Sequence, residues 1–86
     1  MPKTLPLTPM GRLRRDAGLS QAEVAADLGV SQQHIAKWER GEFLPRPAAQ
    51  RQLAALYQVT AKEVFEAAEA TQQMVMVTAK NIQYRE

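Results

Sequence analysis

Apolar positions recur three and four residues apart through most of this chain, and short breaks of glycine, proline and small polar residues divide them into helical segments. A first helix runs from Met10 to Ala17, with Pro9 in its first turn, where a missing N–H costs nothing. Gly18 stands where a left-handed residue closes a helix. Ser20-Gln21-Ala22-Glu23 is a capping box and opens a second helix that ends at Leu28, before Gly29. Ser31 caps a third helix, ending at Arg40 before Gly41. Residues 42–46 form a loop, and Pro47 starts a fourth helix with Leu53, Leu56 and Tyr57 on one side. Thr60-Ala61-Lys62-Glu63 is a second capping box, opening a fifth helix with Val64, Phe65 and Ala68 facing inward. The expectation is an all-α domain of five short helices over residues 9–70, preceded by an unstructured arm at 1–8 and followed by a tail at 71–86.

The tail supports two readings. Val64, Ala68, Thr71, Val75, Ala79 and Ile82 fall on one helical stripe, which permits one long helix. Met74-Val75-Met76-Val77-Thr78 is an apolar run rich in β-branched residues, and it favours a strand. In either form the run exceeds what so small a core needs to cover. Met74, Val75, Met76, Val77, Ile82 and Tyr84 are therefore expected to contact a second copy of the chain, the alternative being that the run folds back onto its own core or stays loose.

The second and third helices, joined at Leu28-Gly29-Val30-Ser31, have the layout of a helix-turn-helix, a shape that places one helix in the DNA major groove. At about 100° per residue, Ile35 and Trp38 fall on one side of the third helix with Glu39 beside them. They join Val24, Ala25 and Leu28 as core, with Val30 filling the turn. Gln32, Gln33, Ala36, Lys37 and Arg40 fall on the other side. A glutamine amide can meet adenine N6 and N7 together, and a lysine can reach guanine or a phosphate. Ala36 is small enough to let the helix approach a thymine methyl group.

Charge and composition sharpen this picture. The net charge is only +2, yet residues 1–51 carry eight Lys/Arg against five acids, whereas residues 52–86 carry three against four. The basic half is the half with the helix-turn-helix, which suits phosphate binding. With 86 residues and no cysteine, the chain offers one small domain without disulfides or thiolate metal sites. His34 is the only histidine and cannot build a metal site alone. There is no nucleophile–base pair, metal cluster or phosphate-cradling glycine loop, so neither enzymatic activity nor a cofactor is expected. No apolar run approaches the roughly 20 residues of a membrane span, and the N-terminus lacks the apolar stretch of a signal peptide. A cytoplasmic protein is the expectation.

From Leu13 to Phe65 the chain resembles the lambda-repressor/Cro-like helix-turn-helix family. The motif that carries the resemblance is GLSQAEVAADLGVSQQHIAKWERG, residues 18–41, with the small Ala25, the turn Gly29, the apolar Val24, Leu28, Val30, Ile35 and Trp38, and the closing Glu39-Arg40-Gly41 in register. The resemblance implies that Gln21 binds a phosphate and braces the recognition helix. It places Gln32 and Gln33 at base-reading positions and Lys37 at a third base-reading or phosphate position. It implies an Arg14–Glu39 pair linking the first and third helices, and phosphate contacts at Arg40 and Arg46, to which His34 and Arg51 are added. Nothing in these residues corresponds to a larger second domain for a ligand or for self-cleavage, so the likeness is to short members of the family. The tail matches no pattern of the family.

The function these features imply is a sequence-specific repressor that binds double-stranded DNA as a homodimer on a palindromic operator. An alternative from another class is an antitoxin whose tail binds a toxin while the helix-turn-helix represses its own operon. RNA polymerase is a further candidate partner.

Overall fold

The computed structural model describes residues 7–84, with side chains described as far as Val75. Five helices follow in order: α1 (Pro9–Asp16), α2 (Gln21–Leu28), α3 (Gln32–Glu39), α4 (Pro47–Tyr57) and α5 (Ala61–Tyr84). The described residues contain no strand.

The boundaries follow from capping chemistry. Ser20 accepts from the Glu23 amide while the Glu23 carboxylate accepts from the Ser20 amide, a reciprocal box that starts α2. Gly29 ends α2 in the left-handed conformation with φ of 74°, and Ser31 caps α3 one residue after Val30. The turn between the helices is therefore as short as its two caps allow. Thr60 and Glu63 repeat the box at the start of α5. Gln58, a non-glycine residue, closes α4 with φ of 60°.

Thr8, expected in an unstructured arm, is instead the N-cap of α1. Its hydroxyl accepts from the Gly11 amide and donates to the Glu39 carbonyl at 2.6 Å, so the start of α1 is tied to the end of α3. Residues 1–6 of that arm lie outside the described residues.

The core comprises Met10 of α1, Val24 and Ala25 of α2, Ile35 and Trp38 of α3, Leu53, Ala54 and Tyr57 of α4, and Val64 and Ala68 of α5. Burying each of the larger of these side chains contributes about 1.5–3 kcal/mol. Ala25, buried and small, lets α2 and α3 cross closely. Phe65, expected to face inward, remains 38% exposed, because the buried stripe of α5 runs through Val64, Ala68 and Thr71 and leaves position 65 at its side.

That stripe also corrects the favoured reading of the tail. Residues 74–78 are helical, part of one helix of 24 residues, about 36 Å long. Once Val64, Ala68 and Thr71 anchor α5, each added residue gains a backbone bond, whereas a strand would need a partner strand that no described element supplies. β-Branched composition expresses fitness for a sheet surface and yields where no sheet exists. Thr71 is fully buried. Its hydroxyl donates to the Ala67 carbonyl and accepts from the Met10 amide at 3.0 Å, one of the free N–H groups at the start of α1. Gly41, with φ of 78°, sits against α5 so closely that an added Cβ would lie 3.0 Å from the Thr71 carbonyl oxygen and 3.1 Å from the Gln72 Cα.

Candidate nucleic-acid interface

The solvent face of α3 is built outward from its buried one. Ile35 is 1% exposed and Trp38 6%, so the helix cannot rotate without uncovering its anchors. The residues projecting away from them are Gln33 and Arg40, both exposed, with Ala36 and Lys37 half-buried beside them. Ala36 leaves a shallow place between longer side chains. Among the described residues, Lys37 Nζ stands 5.6 Å from the centroid of the Phe43 ring, within cation–π range.

Gln32 and His34 project from opposite margins of this face. On the Gln32 margin lies a polar network. Glu39 is 7% exposed and its carboxylate receives three bonds: Arg14 Nε to Oε2 at 2.6 Å, Arg14 Nη2 to Oε1 at 3.1 Å, and Gln21 Nε2 to Oε1 at 3.1 Å. Arg14 also donates from Nη1 to the Leu19 carbonyl. The Gln21 carbonyl oxygen in turn accepts a long bond, 3.5 Å, from Gln32 Nε2. Helices α1, α2 and α3 are thus joined at one carboxylate. The bond to Glu39 raises the Arg14 pKa above its ordinary value against the opposing effect of burial. Beneath the network, Tyr57 is raised well above the usual phenol value, first by burial and then by the negative charge of Glu39.

On the His34 margin the surface is apolar. The His34 ring meets Trp38 edge-on, with centroids 5.3 Å apart. Beyond it an open groove of about 620 Å³ runs between the turn, α3 and α4, with Leu28, Val30, Phe43 and Leu44 among its walls and Arg46 at its edge. Phe43 and Leu44 are 53% and 39% exposed. Neither was assigned a role from the sequence, although two consecutive bulky apolar residues in a loop ahead of a proline are a visible signal.

The remaining basic residues are distributed around this face. Arg40 is exposed and paired at 2.8 Å with Glu42, so any phosphate would compete with that carboxylate. Arg46 occupies the N-cap position of α4 without a side-chain cap bond, which places its cation at the positive end of that helix. Arg51 is exposed one turn further along α4. Of the tail residues assigned to a contact between copies, Met74 and Val75 are 45% and 40% exposed. The side chains of Met76, Val77, Ile82 and Tyr84 lie outside those described.

No helix among the described residues is long and apolar enough to cross a membrane. A comparison with curated proteins and with solved structures finds no match to the chain. A family model described as a helix-turn-helix domain matches residues 10–68, from the first core residue of α1 to Ala68 of α5. The match spans well over half of the sequence and includes every element that positions α3, and the chain accordingly belongs to this family of DNA-binding domains.

Proposed function

We propose that the protein is a sequence-specific transcriptional repressor of the lambda-repressor/Cro-like type, acting in the cytoplasm as a homodimer on a palindromic operator in double-stranded DNA. The observation that carries this reading is the exposed edge of α3. Gln33, Ala36 and Lys37, with Gln32 at the margin, stand on a helix whose opposite side is locked by Ile35 and Trp38. Donors, acceptors and a small residue at that spacing match what base edges offer in the major groove. Gln21, His34, Arg40, Arg46 and Arg51 surround the edge and supply phosphate contacts that fix the register.

Each mismatched base pair costs only about 1–3 kcal/mol, so one α3 discriminates weakly. Two copies on half-sites about one helical turn apart would read twice the sequence. The distal part of α5, with Met74 and Val75 half-exposed, is the surface proposed for that pairing. Occupying an operator then represses by excluding polymerase.

Selection from random duplex DNA followed by footprinting tests the reading. A palindromic winner with half-sites about one turn apart supports it. Equal affinity for every duplex at physiological salt would refute sequence-specific binding, and an unpaired winning site would refute the dimer.

A further inference from the structure

The network on the Gln32 margin carries directional information, because its first member can only accept. A carboxylate facing a guanidinium has acceptor oxygens and no proton to give. Gln21 must therefore turn its Nε2 towards Glu39 Oε1, where it lies at 3.1 Å. That choice leaves the Gln21 carbonyl oxygen facing α3. The Gln32 amide meets it with Nε2, at 3.5 Å, since two carbonyl oxygens would repel. A side-chain amide alone is symmetric in shape and can present its donor and acceptor either way round. Here the orientation is set two residues back, by a buried carboxylate that itself faces no base.

We propose that Glu39 is a specificity-determining positioning residue: acting through Gln21, it fixes which end of the Gln32 amide donates and which accepts. With one N–H engaged by Gln21, Gln32 retains one N–H on the α2 side and its Oε1 on the other. One donor beside one acceptor in fixed order is the complement of adenine N7 and N6. The base class assigned to Gln32 is thus adenine, read in a single orientation. The inference rests on the proposed reading of DNA by α3 and adds to it a residue that touches no nucleotide.

Burial makes the device durable. The Glu39 side chain is 8% exposed and that of Arg14 16%, so water competes little for the carboxylate. Gln21 is half-buried and Gln32 exposed, so the constraint passes from interior to surface in two steps.

The test measures, on the selected operator, the ratio of affinities for the duplex with the assigned adenine and for duplexes with that pair replaced. Wild type and the variants Gln21→Leu, Glu39→Gln and Gln32→Ala are compared, with thermal melts to establish folding. A good bidentate contact gives wild type a ratio of roughly five- to hundredfold. Gln21→Leu leaves the Arg14–Glu39 pair intact and should lower the ratio at that one position to about the level of Gln32→Ala. If Gln21 also holds a phosphate, its removal weakens binding to all duplexes alike and cancels in the ratio. Glu39→Gln, an amide that can face Gln21 with either end, should lower the same ratio. In a Gln32→Ala background Gln21→Leu should change it no further. If Gln32→Ala flattens the position and Gln21→Leu leaves the full wild-type ratio, the relay is wrong while base reading by α3 stands. If Gln32→Ala alters no position, Gln32 reads no base and the inference falls with that assignment. If wild type selects no sequence at all, the proposed function itself fails.

Discussion

The two margins of α3 are held by different physics. On the Gln32 side a carboxylate, a guanidinium and an amide bind three helices through bonds of 2.6 to 3.1 Å. On the His34 side a ring meets a ring at 5.3 Å and opens onto a groove walled by exposed Phe43 and Leu44. Directional bonds specify an orientation, whereas apolar contacts specify a separation and tolerate small rotations. Helix α3 is therefore indexed from one edge and merely supported at the other.

Substitutions can break this contrast, and the largest effect is expected at the shared anchor. Trp38→Ala removes the ring that both fills the core and carries His34, and should cost about 3–5 kcal/mol in urea-induced unfolding. Glu39→Ala should follow at about 3 kcal/mol, because it strands the Arg14 guanidinium at a largely buried position. A loss below about 1 kcal/mol would mean that water replaces the carboxylate and that the polar margin is not stiff. Tyr57 gives a finer probe of the same side. Its pKa is raised in the folded state, so its stabilising effect is complete below about pH 10, the ordinary phenol value, and is lost as pH rises through the folded value. Stability should then decline above pH 10 by up to about 1.4 kcal/mol per unit from this group, and the decline should be shallower in Tyr57→Phe. Identical slopes for the two proteins would mean that the fold does not raise the Tyr57 phenol, through burial first and Glu39 second, above its ordinary value. The smallest effect belongs to the apolar margin: Phe43→Ser, at an exposed site, should shift stability by less than about 0.5 kcal/mol. A larger loss would show that the groove wall is part of the core and would narrow the contrast.

Much of the fold is legible because its punctuation is local. Ser20 with Glu23, Gly29, Ser31 and Thr60 with Glu63 act within one turn of themselves, so neighbouring letters reveal them. The long α5 is not legible in this way. Its β-branched segment pulls towards a strand, and only the burial of Val64, Ala68 and Thr71 against α1 and α4 decides for a helix. Thr8 before Pro9 has the composition of a cap, yet its second bond, to the Glu39 carbonyl, joins residues 31 apart and has no sequence signature. The candidate interface divides similarly. Helical spacing separates Gln33, Lys37 and Arg40 from Ile35 and Trp38. It does not disclose that Gln21 stands between Glu39 and Gln32, since that arrangement exists only once α1, α2 and α3 have packed.

Gly41 joins these levels. It follows the Arg40 cap of α3 and rests on the Thr71 carbonyl with no space for a methyl group. Just beyond that seat, α5 continues into the segment proposed for self-association. If α3 reads DNA and the distal part of α5 pairs with a second copy, as proposed, reading and pairing share a hinge pin: a tilt of either helix would be passed to the other through a residue with no side chain, and with it the separation between two half-sites.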